Sequence, residues 1–347
     1  MRDNNKKVAI SYFIIHFFVE LVCFSLTTQF MSLELSFILA LLFDFFAFVP
    51  QIFGGVINKK NKRFDLGSLG VALMALGVLL FDLSSDTKLI ISIILIGLGN
   101  SALHECGAIS TVVNGEGKLF PSALFVSGGS FGLVIGKILG GFGIKKWILI
   151  FPLLIIELIV LITNKYWLKD DVTYPEYHIT REEVSITAII LIAVFITFSR
   201  SFIGYAIPIS WNKTVWQTIF LFFMMGFGKA FGGYLSDKIG VKKVSILTTI
   251  LCIPFLIFGE EKMYVSILGV FLFSMTMSIT YAMLLSIIKD NPGKAFGFTT
   301  IGLFLGLVPL FTFGYFPKNV NIILIVLLSL LSMLGFLYTL RKGEKHE

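Results

Sequence analysis

Read along its length, the chain alternates long apolar runs with short polar breaks. Most runs are about 20 residues, the length at which an α-helix crosses about 30 Å of hydrocarbon. The pattern predicts helices near 8–30, 33–57, 66–84, 88–112, 121–143 and 146–166. A second set is predicted near 184–208, 212–235, 243–258, 263–288, 295–316 and 320–340. The breaks between them are short, so consecutive helices are predicted to be antiparallel neighbours. One long polar stretch, NKYWLKDDVTYPEYHITREE, occupies 164–183 at the middle of the chain. It reads as a cytoplasmic linker between an N-terminal bundle, 1–163, and a C-terminal bundle, 184–347. The predicted fold class is an all-α polytopic membrane protein, with about twelve transmembrane helices in two pseudo-symmetric six-helix bundles.

Composition agrees with a protein whose solvent is lipid. Of 347 residues, 56% are hydrophobic and 14% charged, with 37 phenylalanines; the mean hydropathy is +0.91. A soluble domain is about one quarter charged. The first apolar run is too long for a signal-peptide core and is expected to be a retained helix. Lys and Arg favour one set of loops over the other by about three to one, which places both termini in the cytoplasm of a bacterial inner or plasma membrane. The net charge of +7 is then a matter of topology and of attraction to anionic lipid, not of nucleic-acid binding.

The chain offers little for catalysis. Cys23, Cys106 and Cys252 lie in apolar runs, which points to neither a disulfide framework nor a metal cluster. His104 and Glu105 are adjacent, but no second His follows four residues on, so they do not form a zinc-protease motif. Of four histidines, His178 and His346 fall in polar segments. The expectation is a non-enzyme with no cofactor and no metal, a monomer whose partners are the bilayer, protons and a small molecule. A non-transporting receptor is the less favoured alternative.

A loop motif recurs across the halves. The loop from Gly54 reads GGVINKKNKR and the loop from Gly232 reads GGYLSDKIGVKK. Setting Gly54 on Gly233 brings Asn58 onto Asp237 and Lys59 onto Lys238, an offset of about half the chain. Such corresponding loops indicate two parallel repeats. Gly233, Asp237, Lys238, Gly240 and Lys242 match the loop signature of the major facilitator superfamily, which the chain resembles. In physical terms Gly233 permits close packing, Asp237 is placed to meet a helix N-terminus or a basic side chain, and Gly240 permits a tight turn. Finer features resemble one branch, the fosmidomycin-resistance-protein-like transporters: HFFVE with His16 and Glu20, VPQIFGG with Pro50, Gln51 and Gly54, GNSALHECG in the fourth helix, and SRSFIGYAIP with Arg200, Ser201 and Pro208. The resemblance implies the major facilitator fold and a secondary transporter that exports a small molecule against protons. A proton-coupled uptake symporter and a lipid flippase are the alternatives within transport.

The resemblance also implies that helices one, four, seven and ten line a central cavity. Charged residues within spans are rare and usually face protein. Glu20, His16, Asp44, His104 and Glu105 are therefore the proton-coupling candidates. Arg200, Lys137, Asn100 and Tyr281 are the substrate-cavity candidates. His16 and Glu20, four apart, share a helical face. Rise per residue puts His16 and His104 at similar depth. Lys137 stands too deep to snorkel, and Glu20, Asp44 and Glu105 are its possible acid partners. It interrupts a stripe of Gly128, Gly132, Gly136 and Gly140, which reads either as a packing face or as the superfamily's antiporter signature, with Lys137 where that signature has proline. Lys229 is read as a lysine near a helix end that snorkels, and Glu157 as a packing residue.

Overall fold

The computed structural model describes residues 3–53, 65–168, 174–314 and 316–341. The first copy of the loop motif, from Gly54 to Arg63, lies outside them. Among the described residues twelve helices run in chain order: α1 (Asp3–Phe30), α2 (Ser36–Phe53), α3 (Leu66–Leu80), α4 (Asp86–Val113), α5 (Phe120–Gly141) and α6 (Lys146–Tyr166), then α7 (Ile186–Ala206), α8 (Val215–Ile239), α9 (Val241–Phe258), α10 (Met263–Ile287), α11 (Pro292–Phe313) and α12 (Lys318–Thr339). All but α3 are long and apolar enough to cross a membrane. The chain is an all-α, multi-pass membrane protein, and its helices match the predicted spans to within a few residues at most ends. In α3, Asp65 caps the first turn by accepting from Gly67 and Ser68 N–H. Pro292 opens α11 behind the Asn291 cap. Gly240, at φ 93°, turns the chain from α8 into α9 where a side chain would be strained.

The glycine stripe of α5 is a packing face against α1. A Cβ added at Gly128, Gly132, Gly136 or Gly140 would meet the carbonyl oxygens of Phe13, Phe17, Leu21 and Ser25 respectively. Both series step by four residues, so the two helices lie in register with backbone on backbone. Lipid tails are as apolar as leucine, so close van der Waals contact of this kind holds membrane helices together. The C-terminal half repeats the device. Gly302 and Gly306 of α11 set their backbone against the carbonyls of Val194 and Phe198 in α7.

Two features differ from the expected spans. Helix α3 is only 15 residues and ends before Phe81. Helix α10 is broken at Met275–Thr276, leaving segments Met263–Ser274 and Met277–Ile287. At the membrane face that carries both described termini, the segment after α6 runs back to the end of α12. Thr180 and Leu340 form an isolated antiparallel bridge, and Arg181 N–H donates to Thr339 O at 2.9 Å.

Candidate functional site

Two helices each contribute a pair of polar residues four apart: His16 and Glu20 from α1, Asn100 and His104 from α4. The two pairs meet in the N-terminal half. His16 and His104 bring their Nε2 atoms to 2.8 Å, with ring centroids 4.3 Å apart and planes near perpendicular. Glu20 Oε1 lies 3.3 Å from His104 Nε2 and 3.7 Å from His16 Nε2. Asn100 Nδ2 donates to Glu20 Oε1 at 3.0 Å and reaches Cys23 Sγ at 3.4 Å. Each imidazole is oriented through its other nitrogen. His16 Nδ1 meets Phe125 O at 2.8 Å, and His104 Nδ1 meets Asn100 O at 2.9 Å. Both histidines are buried. Gly129 of α5 makes room for the His16 ring, which a Cβ there would strike. Phe125 packs on the same ring at 4.8 Å between centroids.

This trio is also close enough to be considered for a metal, with ligand atoms of His16, Glu20 and His104 all within 4.8 Å of one another. Two nitrogens on one tetrahedral zinc, at about 2.0–2.1 Å each, stand roughly 3.3 Å apart. The 2.8 Å seen here is the length of a hydrogen bond instead.

Around the trio lie further charges. Asp44 of α2 is partly buried and near enough to Glu20 for their charges to interact. Lys229 of α8 is half-buried, within electrostatic reach of Glu20 and His104. It has no hydrogen bond or ion pair among the described residues. It was expected near a helix end, yet it stands about 21 Å from the start of α8 and about 15 Å from its end, by rise per residue. Lys137 is accessible and sits over two rings, 5.8 Å from that of Phe24 and 5.5 Å from that of Phe222. None of its three expected acid partners is paired with it. Phe222 and Lys229 are seven apart on α8, so Lys137 and Lys229 address one face of that helix.

Arg200 is placed elsewhere than expected. It is buried inside the C-terminal half, where its Nη1 donates to Phe273 O at 2.7 Å and to the Thr276 hydroxyl. Its guanidinium stacks 4.8 Å from the Phe273 ring. It borders a cavity of about 20 Å³, room for one water, with Ile196, Thr249, Thr276 and Ser332. The break in α10 frees the Phe273 carbonyl from its helical partner, and the cation caps it where the helix dipole is negative. Glu105 is 2% exposed, and its Oε1 has no hydrogen-bond partner among the described residues. Tyr281 of α10 spans the halves, donating to Ala108 O at 3.3 Å and to Pro292 O at 3.2 Å. Glu157 accepts from Ser68 at 2.8 Å, a packing contact between α6 and α3.

The loop motif joins the halves at the terminus-bearing face. Gly233 lets α8 close on Ala123 of α5. One turn on, Asp237 accepts from Leu119 N–H at 2.8 Å and Phe120 N–H at 3.0 Å, the orphan donors at the start of α5. Lys242 donates to Leu340 O at 2.9 Å beyond the end of α12, and Lys238 lies over the Tyr234 ring at 5.9 Å. Thr300 of α11 donates to Phe48 O of α2 at 2.9 Å, and Gly297 sits against the backbone of Ile52. The structure is thus closed between its halves at this face.

No protein-family model matches the chain, and no curated protein matches it in sequence. Solved structures do match in shape. A structure of the fucose:proton symporter FucP in its outward conformation, described as a major facilitator superfamily transporter, superposes with a TM-score of 0.64 at 14% identity, over 96% of this chain and 99% of that one. A variant of FucP from E. coli gives 0.63 at 14% identity, over 95% and 98%. The human organic anion transporter MFSD10 (TETRAN) gives 0.64 at 12% identity, over 96% and 99%. At such identities the likeness is one of fold, and the chain has the major facilitator fold.

Proposed function

We propose that the chain is a proton-coupled secondary transporter that works by alternating access, exporting a small anionic or zwitterionic molecule across the cell membrane in exchange for protons. The observation that carries this reading is the His16–His104–Glu20–Asn100 cluster, a set of proton-exchanging groups buried mid-span in an otherwise apolar bundle. Lys229 and Lys137 supply the positive charge that favours an anion beside it. The organic anions named for MFSD10 accord with that charge. The working units are 1–163 and 184–347, tied by 164–183 on the cytoplasmic side with both termini, and they act within one monomer. On this reading the contact of Asp237 with the start of α5 is part of a cytoplasmic gate, held closed. Export follows the resemblance to the fosmidomycin-resistance-protein-like branch. Uptake by symport is the second reading, favoured by the shape match to a fucose:proton symporter.

The test is transport in proteoliposomes under an imposed pH gradient, with a panel of anionic, zwitterionic and cationic compounds. The expected outcome is gradient-driven movement of an anion or zwitterion. Glu20→Gln should abolish the driven component and spare exchange of the compound down its own gradient. Movement confined to permanent cations, or none that follows the pH gradient, overturns the reading; undiminished driving in Glu20→Gln shows that the proton carrier lies elsewhere. The sign of the gradient that drives accumulation separates export from uptake.

A further inference from the structure

We propose that His16 and His104 hold one proton between their Nε2 atoms, with ionised Glu20 as its counter-ion, so that the imidazole pair rather than the carboxylate is the proton-binding element. This rests on the reading of the chain as a proton-coupled transporter. A neutral imidazole has one N–H and one lone pair, and a carbonyl oxygen only accepts. His16 Nδ1 faces the carbonyl of Phe125, and His104 Nδ1 faces that of Asn100. Each Nδ1 therefore carries its hydrogen. Each Nε2, in a neutral ring, presents a bare lone pair, and the two stand 2.8 Å apart. Two lone pairs repel at that distance, whereas one added proton makes an N–H···N hydrogen bond of ordinary length.

Glu20 does not remove the need for that proton. A hydroxyl on its carboxyl would satisfy one ring and leave the other lone pair facing its neighbour. As a carboxylate it accepts from Asn100 Nδ2 at 3.0 Å and lies 3.3 and 3.7 Å from the two ring nitrogens, an acceptor beside a shared positive charge. The trio is then neutral overall. Helix α1 adds Cys23, α2 presents Asp44, α4 presents Glu105 one residue beyond His104, α5 faces the pair with the Phe125 carbonyl and ring, and α8 brings Lys229 within electrostatic reach. Binding adds a proton from water on one side of the membrane and forms one N–H. Release breaks that N–H and returns the proton to water on the other. Release also leaves two facing lone pairs and a lone carboxylate, which drives His16 on α1 away from His104 on α4. Proton occupancy is thereby tied to helix separation.

The full-length chain in lipid bilayers, labelled with 15N-histidine and carrying His178→Gln and His346→Gln, retains only these two rings. The expected result is a single Nε2–H together with scalar coupling across the hydrogen bond to the second Nε2, lost in His104→Gln. Two unprotonated Nε2 signals without coupling overturn the proposal. So does a cadmium-113 resonance coupled to both rings after exposure to that metal with no competing proton signal beforehand. Coupling seen in a chain that moves nothing under a pH gradient upholds the shared proton and sinks the transport reading. Gradient-driven transport without the coupling upholds transport and sinks the shared proton.

Discussion

The carboxylate of Asp237, at the end of α8, caps the start of α5 by accepting the backbone N–H of Leu119 at 2.8 Å and of Phe120 at 3.0 Å. One residue of the C-terminal half thus closes the helix end of the other half. The group is exposed, so water and salt screen its charge, and an anion at a helix N-terminus contributes about 0.3–1 kcal/mol. Asp237→Ala is expected to shift the balance toward the state open at the terminus-bearing face by roughly two- to five-fold. Spin-label distances between the α5 start and the α8 end measure that shift. An unchanged distance distribution would show that Gly233 packing alone holds the gate.

The glycine ladder makes a sharper demand. A side chain at Gly132 meets the backbone of Phe17, which cannot move aside as a flexible side chain does. Gly132→Val is expected to lower stability by at least the ~1–3 kcal/mol typical of overpacking. Gly141→Ala, with nothing within 4 Å of the new Cβ, is expected to be near neutral. Thermal unfolding of the two variants in detergent is the comparison, and equal melting temperatures would contradict it.

Arg200 is expected to matter for folding before it matters for cargo. Arg200→Met leaves the Phe273 carbonyl without its charged donor at the break in α10. A hydrogen bond to a charged group contributes about 1.5–3 kcal/mol, so the melting temperature should fall by several degrees. Apparent affinity for any transported compound should change little in the fraction that remains folded. A large loss of affinity with unchanged melting would place the guanidinium in the cargo path.

Tyr177, in the segment between the halves, gives a pH dependence of known sign. Burial, helped by the charge of Asp237, pushes its phenol well above the ordinary value of about 10. The folded chain therefore favours the neutral form. Its contribution to stability is complete below about pH 10 and is lost as pH climbs above that, where the unfolded chain ionises first. Between about pH 9.5 and 11 the wild type should lose more stability than Tyr177→Phe. Parallel losses in the two chains would show that Tyr177 ionises without cost.

The spans and the two-fold repeat were legible because hydrocarbon thickness sets a length that sequence displays directly. The break in α10 was not. Met275 and Thr276 carry no Pro or Gly, and the interruption is recognisable only from the guanidinium that answers it across the bundle. At the site, His16 with Glu20 was visible from spacing, and the shared depth with His104 from rise per residue. Which way a residue points around a helix was harder. In a helix that is apolar on every side no stripe marks the inner face. The resemblance makes helix seven a cavity helix and so places Arg200 in the central cavity, whereas its side chain turns into its own half, onto Phe273 and Thr276. Lys229 reads as near a helix end only because the apolar pattern stops at 235, six residues on, whereas α8 continues to Ile239. A lysine deep in a span calls for an acid partner, but a phenylalanine-rich chain offers aromatic faces instead, and Lys137 takes those of Phe24 and Phe222.

The register of α1 on α5 has a mechanical consequence. With four glycines seated on four carbonyls, the two helices form a single stiff beam, and neither slides without unseating the whole set. Asp237 grips one tip of that beam at Leu119, while the Phe125 carbonyl that steadies His16 lies six residues further in, about 9 Å along the axis. Loosening the tip is therefore expected to move the carbonyl that steadies the histidine. On the proposed reading, gate and proton site are two points on one lever, and the coupling between them needs no longer wire than the beam itself.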